Sequence, residues 1–323
     1  VETVSDEIVD VTPVITWSPL ELRPEDCLAP ATSDGLLTWL RGGPQLAALL
    51  AQHKAVVFRG FGVAPTEIDT VFDLMLDRRL AYVHGNSPRT KVGNNIYTST
   101  EYPAEFTISM HNELSYAAHW PARLAFFCEQ APETGGETTV VDGQLWLGGL
   151  DAEIRTAFAG GVRYTQNLHG GRGLGRSWQA TFETDDRQVI EEYLAGAGAE
   201  WQWFPNNTLR ISQIRPSTTV HPVTGAEVWF NQADQWHPSG LGDDIAAELA
   251  SMMPTDELPQ FVTYADGSPI PDGYLQQIRE VGLAAAVGVK WHPGDVLLID
   301  NLLVGHGRST FSGARRILVA MSG

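Results

Sequence analysis

The chain has 323 residues, 43% of them hydrophobic, with 21 Lys and Arg against 39 Asp and Glu, a formal charge of -18 and a pI near 4.8. That length and apolar share support a sizeable folded core, whereas so negative a field disfavours nucleic acid and anionic membrane surfaces as partners. Cys27 and Cys128 are too few and too far apart for a disulfide framework or a Cys-based zinc site, the acidic N-terminus lacks the layout of a signal peptide, and no run approaches a membrane span, so a reducing cytoplasm is the expected location.

No repeat, low-complexity segment or long linker interrupts the chain, and one domain over 1–323 is expected. In chain order, 36–53 and 66–76 carry helical spacing around a short buried strand at 55–61. From residue 106 strand signals dominate: RLAFFCEQ, GETTVVDG, TLRISQI, AEVWFNQ, DVLLIDN and RRILVAM are short, rich in β-branched or aromatic residues and mostly bounded by Gly, Pro or Asn. Helices are expected between them at 184–198 and 242–253. The pattern reads as α+β, with a sandwich or jelly-roll core and flanking and inserted helices.

Within FTISMHNELSYAAHWP (106–121), which otherwise reads as a strand, His111 and Glu113 stand two apart, and alternation puts both on one face with Asn112 on the other. An imidazole nitrogen and a carboxylate oxygen then meet at one point, although an ordinary, partly exposed strand produces the same pair by chance. Near the far end, PGDVLLIDNLLVGHGRSTFSGARRILVAM (293–321) carries a buried strand, a turn, His306 between glycines, and arginines leading into a closing strand. Strands distant in sequence lie side by side in such folds, so His306 offers a third point. Two imidazoles and one carboxylate on one face of a metal leave about three positions open, the ligand set of non-haem Fe(II) oxygenases.

Together, His111-x-Glu113, GGET at 135–138, NLLVGHGR and GARRILVAM, in this order from about residue 50 to the C-terminus, resemble the taurine dioxygenase (TauD/TfdA) superfamily of Fe(II)- and 2-oxoglutarate-dependent oxygenases. The likeness is greatest to its SyrP-like and clavaminate synthase-like branch. NIYTSTEYP, HPVTGAEVWFNQ and DQWHP resemble family passages too, without an assigned chemistry. The resemblance implies a double-stranded β-helix (jelly-roll) core, the use of Fe(II), 2-oxoglutarate and O2, and His111, Glu113 and His306 as iron ligands. It also implies that the Thr138 hydroxyl helps hold the cosubstrate and that Arg315 or Arg316 grips its distal carboxylate, a task for a planar fork of parallel donors. Neighbouring strand residues face opposite ways; Arg315 is slightly favoured, and Arg308 is read as a structural partner.

Many members of that branch hydroxylate amino acids, which implies a small-molecule substrate: an amino acid or derivative, free or tethered to a carrier protein, in natural-product biosynthesis. Hydroxylation of an aliphatic carbon is the implied outcome, with desaturation or ring closure drawing on the same oxidant. Glu113 departs from the Asp commonest in the family; glutamate belongs to the clavaminate synthase-like branch, and a carboxylate here speaks against halogenation. Two rival readings stand beside this one. A β-barrel metalloenzyme that does not use 2-oxoglutarate has no reason for an arginine after the third ligand, and a jelly-roll binding protein with an accidental metal site is indifferent to the loss of His111. Oligomeric state is left open.

Other polar residues have plainer readings. His53 reads as surface or capping, His84 as pocket or turn, His119 as packing, His169 as the start of a loop, and His221, His237 and His292, each before Pro, as turns. GGRGLGRS (170–177) lacks the ending of a phosphate loop and reads as a lid carrying Arg172 and Arg176, or as a plain solvated loop. His-x-Glu without a Pro-Cys-x-x-Cys partner is not a deaminase site, and AEWQWFPNN (199–207) reads as core packing. Asn94, Asn95 and Ser115 are polar candidates for the substrate pocket, Ser115 because it lies two after Glu113.

Overall fold

Residues 16–43, 45–82 and 89–323 are described in the computed structural model; the N-terminal acidic stretch and His84 lie outside them. The strand signals resolve into two facing sheets. The larger runs Leu20–Leu22, Ala55–Phe58, Val296–Asp300, Arg123–Gln130, Arg316–Ser322, Ile96–Thr98, Lys91–Gly93, antiparallel except for its first pair. The smaller runs Val287–Val289, Thr138–Asp142, Val304–Arg308, Ile108–His111, antiparallel throughout. Ile108–His111, Arg123–Gln130 and Thr138–Asp142 alternate between the two sheets, as do Val287–Val289, Val296–Asp300, Val304–Arg308 and Arg316–Ser322, so the chain repeatedly crosses the core.

Alternation along Arg123–Gln130 sorts the layers. Leu124, Phe126 and Cys128 face Val140, Val289 and Val304 of the smaller sheet in one apolar cluster. Ala125 and Phe127 point the other way, under helices Ser33–Arg41, Leu46–His53 and Ile68–Met75. The helical run expected at 36–53 is therefore two helices, broken at Gly42 and Gly43. On the outer side of the smaller sheet, Met110 and Val141 pack against Trp146, Leu275 and Ile278 of helices Gly143–Gly149 and Asp272–Ala285. The Trp146 indole donates to the carbonyl of Ile278 at 2.8 Å.

A third sheet, Glu200–Trp203, Leu209–Arg215, Val162–Leu168, Gln260–Tyr264, carries helix Arg187–Gly196 in place of the broader 184–198. Trp201 and Trp203 pack there with Ile190, Leu194 and Leu209, so AEWQWFPNN serves packing. The expected 242–253 helix is Asp243–Met252. Gly170 and Gly175 lie close to Asn207 and Pro259, and no residue of 170–177 lines a cavity beside the histidines. Among the described residues no helix is long and apolar enough to cross a membrane.

One expected strand differs in a way that matters for the site. Only Ile108–His111 is strand; a turn begins beyond Asn112, with Leu114 at φ 55°. Alternation therefore does not bring Glu113 beside His111.

Phe127, wholly buried between sheet and helices, and Val223, 77% exposed, set the expected range of stability effects. Phe127→Ala is expected to cost about 3–5 kcal/mol in equilibrium urea unfolding, and Val223→Ser less than about 0.5 kcal/mol.

Candidate metal centre

Strand pairing brings the two histidines together. His306 is the direct antiparallel partner of His111, so both project from the same face, with ring centroids 4.3 Å apart. On its other side Val304–Arg308 pairs with Thr138–Asp142, with His306 opposite Val140 and Arg308 opposite Thr138, which places Thr138 on that same face. Phe126 of the facing sheet lies 5.4 Å from the His306 ring and closes the floor.

Glu113 arrives by another route. The wholly buried Asn301 accepts from the Glu113 peptide N–H at 2.8 Å and donates to the Glu113 carbonyl at 3.0 Å and the Pro121 carbonyl at 2.8 Å. Asn112 returns the grip, its side chain donating to the Asn301 carbonyl at 2.7 Å. Asn301 lies in the turn between Val296–Asp300 and Val304–Arg308, so the connection that delivers His306 also seats Glu113.

Glu113 Oε2 is 3.7 Å from His111 Nε2 and 3.6 Å from His306 Nε2, beyond hydrogen-bond length. Ligands about 2.1 Å from a common ion are separated by at most about 4.2 Å, so both spacings suit a shared metal. The three donor atoms lie within 4.8 Å of one another, and this is the one such group among the described residues. His306 Nδ1 is buried without a partner, which leaves this ring to be fixed from its Nε2 side.

The sequence reading did not single out Arg89. Its guanidinium donates to Glu113 Oε2 at 2.8 Å and stacks 4.7 Å from the Tyr82 ring centre, with its side chain 3% exposed. Burial alone pushes the Glu113 carboxyl up, but Arg89, and after it the two neighbouring imidazoles, outweigh it and hold the group well below the usual carboxylate range. Burial, and then the neighbouring His111, push the His306 imidazole down to about 4.

Two cavities meet at this triad. One is lined by Ser99, Thr138, His306, Arg308 and Arg315. Thr138 Oγ1 accepts from the Trp291 indole at 3.1 Å, leaving the hydroxyl proton free to donate elsewhere. Arg315 is fixed by Gly136 O at 2.9 Å and Ser99 Oγ at 3.3 Å, and burial, then Arg308, bring its pKa down to about 10. Arg316 instead turns outward to pair with Glu129. The terminal nitrogens of Arg308 donate to the carbonyls of Tyr102, Pro103 and Phe106, which gives the NIYTSTEYP passage a structural task.

The second cavity, about 200 Å³, is walled by Tyr82, Glu113, Tyr116, Gln232, Gln235 and Trp236 among others. Asn94 and Asn95 line neither cavity; they sit in the turn joining the edge strand Lys91–Gly93 of the larger sheet to its neighbour Ile96–Thr98. Ser115 is buried behind the wall, its Oγ 3.4 Å from Gln232 Oε1. His119 is exposed, so it does not pack as expected. His221 bonds Asp300 at 3.0 Å through Nε2 and accepts the Thr224 N–H through Nδ1, holding the HPVTG turn.

The depressed His306 pKa ties the stability of the metal-free protein to pH. The unfolded imidazole, near 6.5, binds a proton that the folded one refuses until about 4, so stability falls as pH drops through that window, by about 3 kcal/mol at its lower end. Glu113 stays out of this range, because a carboxylate held low loses its contribution only as pH falls below the unfolded carboxyl value near 4.3. Urea unfolding with chelator is expected to show this slope, and His306→Gln to flatten it. Asn301→Ala, which strands buried peptide groups on both sides of Glu113, is expected to cost about 2–4 kcal/mol in the same assay.

Residues 34–322 match the model of the taurine catabolism dioxygenase TauD, TfdA family. The chain is 33% identical over 293 residues to the dapdiamide synthesis protein DdaC of Enterobacter agglomerans, covering 90% of this chain and 88% of that one. It is 28% identical over 286 residues to the clavaminate synthase-like protein At3g21360 of Arabidopsis thaliana, covering 85% and 83%. Among solved structures, an asparagine oxygenase in complex with Fe(II), 2S,3S-3-hydroxyasparagine and succinate superposes with a TM-score of 0.54 at 12% identity, over 94% of this chain and 93% of that one. A family match spanning almost the whole chain, with a relative this similar over most of both lengths, settles the assignment: the chain belongs to the taurine catabolism dioxygenase TauD, TfdA family.

Proposed function

We propose that this chain is an Fe(II)- and 2-oxoglutarate-dependent dioxygenase that hydroxylates an aliphatic carbon of an amino acid or amino-acid derivative in natural-product biosynthesis. The observation that carries the proposal is the meeting of three buried metal-type donors, His111, Glu113 and His306, with a cavity holding Thr138 and Arg315. In this reading the three donors would hold Fe(II), a ligand set that leaves positions for a cosubstrate. With 2-oxoglutarate, the metal supplies the power to convert C–H to C–OH using O2, giving succinate and CO2 from the cosubstrate.

The protein supplies position and dryness. Arg315, immobilised by Gly136 and Ser99, receives the distal carboxylate of 2-oxoglutarate, and Thr138, its acceptor side occupied by Trp291, donates its hydroxyl proton to the same group. Arg316, engaged by Glu129, takes no part. Glu113 stays ionised, as a carboxylate ligand must, because Arg89 faces it. The substrate occupies the 200 Å³ cavity, whose aromatic and amide lining suits a small molecule with polar ends, free or carried on a partner protein. DdaC, named for dapdiamide synthesis, supports the natural-product setting.

We place these parts in one oxygenase domain over 1–323 with a double-stranded β-helix core, a reading supported by strands that cross between facing sheets. A cytoplasmic location is supported by two buried, free cysteines. The rival metalloenzyme that dispenses with 2-oxoglutarate gains nothing from the cavity, where Arg315 and Thr138 converge.

Anaerobic addition of Fe(II) and 2-oxoglutarate is expected to produce the weak visible charge-transfer band of the chelate; its absence with iron bound would falsify the proposal. Arg315→Gln is expected to raise KM for 2-oxoglutarate about 100-fold, the loss of a charge-assisted bidentate grip, whereas Arg316→Gln changes it less than about threefold.

A further inference from the structure

We propose that the 200 Å³ cavity takes an amino acid only with its carboxyl group blocked, as an amide or a thioester, and holds it through N–H donors that the substrate itself brings. The proposal rests on the oxygenase reading above and names the substrate class of that same site. Two observations carry it, one of charge and one of hydrogen-bond direction.

Among the described residues no Lys or Arg lines this cavity, and none of the chain's 21 Lys and Arg falls in the stretches outside them. The arginines around the site have other tasks. Arg89 faces Glu113, Arg308 donates to three carbonyls, and Arg315 is anchored in the neighbouring cavity beside Thr138. Arg279 pairs at 2.6 Å with the buried Asp234 of the short helix Ala233–Trp236. The one charged group on the wall is Glu113, itself a carboxylate. A substrate carboxylate buried here finds no counterion on these walls, in a chain of formal charge -18.

The polar groups that do line the cavity are wrongly directed for a carboxylate. Gln232, Gln235 and Gln260 turn their amide nitrogens into the protein. Gln235 Nε2 donates to the Ser109 carbonyl at 3.2 Å and Gln260 Nε2 to the Gln235 carbonyl at 3.3 Å. A backbone carbonyl only accepts, so reversing either amide sets oxygen against oxygen. Gln232 Nε2 in turn donates to Gln235 Oε1 at 2.7 Å, and Gln232 Oε1 meets the Ser115 hydroxyl at 3.4 Å. Each of these two oxygens has a second lone pair, and that acceptor is what Gln232 and Gln235 offer a ligand.

Acceptors repel a carboxylate, which only accepts, and attract N–H groups. An amide supplies such a group itself, and a thioester-linked amino acid supplies it from its amino group. The carbonyl that remains in either form is neutral and needs only one ordinary donor, for which the hydroxyls of Thr100, Tyr102 and Thr107 line the same cavity. A free carboxylate needs several charge-assisted ones. Gln232 and Gln235 are thus specificity-determining residues.

The test offers the full chain, loaded with Fe(II) and 2-oxoglutarate, the common amino acids in three forms: free acid, primary carboxamide and N-acetylcysteamine thioester. Succinate formed in air is one readout, and the shift of the anaerobic chelate band on addition of each compound is the other. For the amino acid that responds, a blocked form is expected to act at a concentration at least about 30-fold below that of the free acid. A response to the carboxamide assigns an amide substrate, and a response to the thioester alone assigns a carrier-borne acyl group; both support the proposal. Gln232→Arg, which supplies the missing cation, is expected to strengthen binding of the free acid about 10-fold and to weaken that of the blocked form. The comparison in the parent protein decides the matter if that variant does not fold. A free acid as effective as its blocked forms, silence from all three series while the chelate band forms, or an unaltered preference in folded Gln232→Arg overturns the proposal. Failure of the chelate band to form overturns instead the oxygenase reading on which it stands.

Discussion

The carboxamide of Asn301 grips the peptide groups on both sides of Glu113, and the rest of the centre depends on that hold. Strand pairing positions His111 and His306 without help, since they are direct partners across an antiparallel ladder. Glu113 has no such ladder, because the chain has already left the sheet. Its carboxylate is a side chain on a turn, and turns take their shape from whatever holds their backbone. In a dry interior that holder must satisfy each N–H and C=O it meets, and Asn301 does so with acceptor and donors together. Sitting in the connection that leads to His306, it fixes the separation of two donor residues that lie far apart in sequence.

Charge is distributed with similar economy. The chain as a whole is strongly acidic, yet three arginines stand around the triad with different partners. Arg308 spends its donors on carbonyls and tightens a loop, Arg315 is anchored on one edge, and Arg89 faces a single carboxylate oxygen. Burying such charges is tolerable only where each finds compensation. Arg89 and Glu113 compensate one another across a contact that also keeps the carboxylate ready to ligate.

Much of this was legible in the sequence. Strands such as Arg123–Gln130 and Val296–Asp300 announce themselves by composition, and the two histidines are set apart by their flanking motifs. The pairing of His111 with Glu113 was read from strand alternation; the two residues are neighbours, but a turn and an asparagine bring them together. The choice between Arg315 and Arg316 stayed open because the ladder is irregular between Arg316 and Ile317, and an irregularity of that kind leaves no mark in residue types. Arg89, Gln235, Trp291 and Asn301 escaped notice for a common reason. Each acts through a partner distant in the chain, and ordinary polar residues give no local signal of such contacts.

The strand that carries His306 is hemmed in on both sides of that residue. A Cβ on Gly307 would come within 2.4 Å of the Ile108 carbonyl oxygen, and one on Gly305 within 3.0 Å of the Trp146 ring. At Gly307 backbone lies too close for any side chain, and at Gly305 the packed Trp146 and Val141 side chains would have to give way, so both positions resist drift. Variation in the shape of the 200 Å³ cavity falls instead to the opposite wall, where the short helix and its glutamines offer surface that can change while the strand carrying His306 stays as it is.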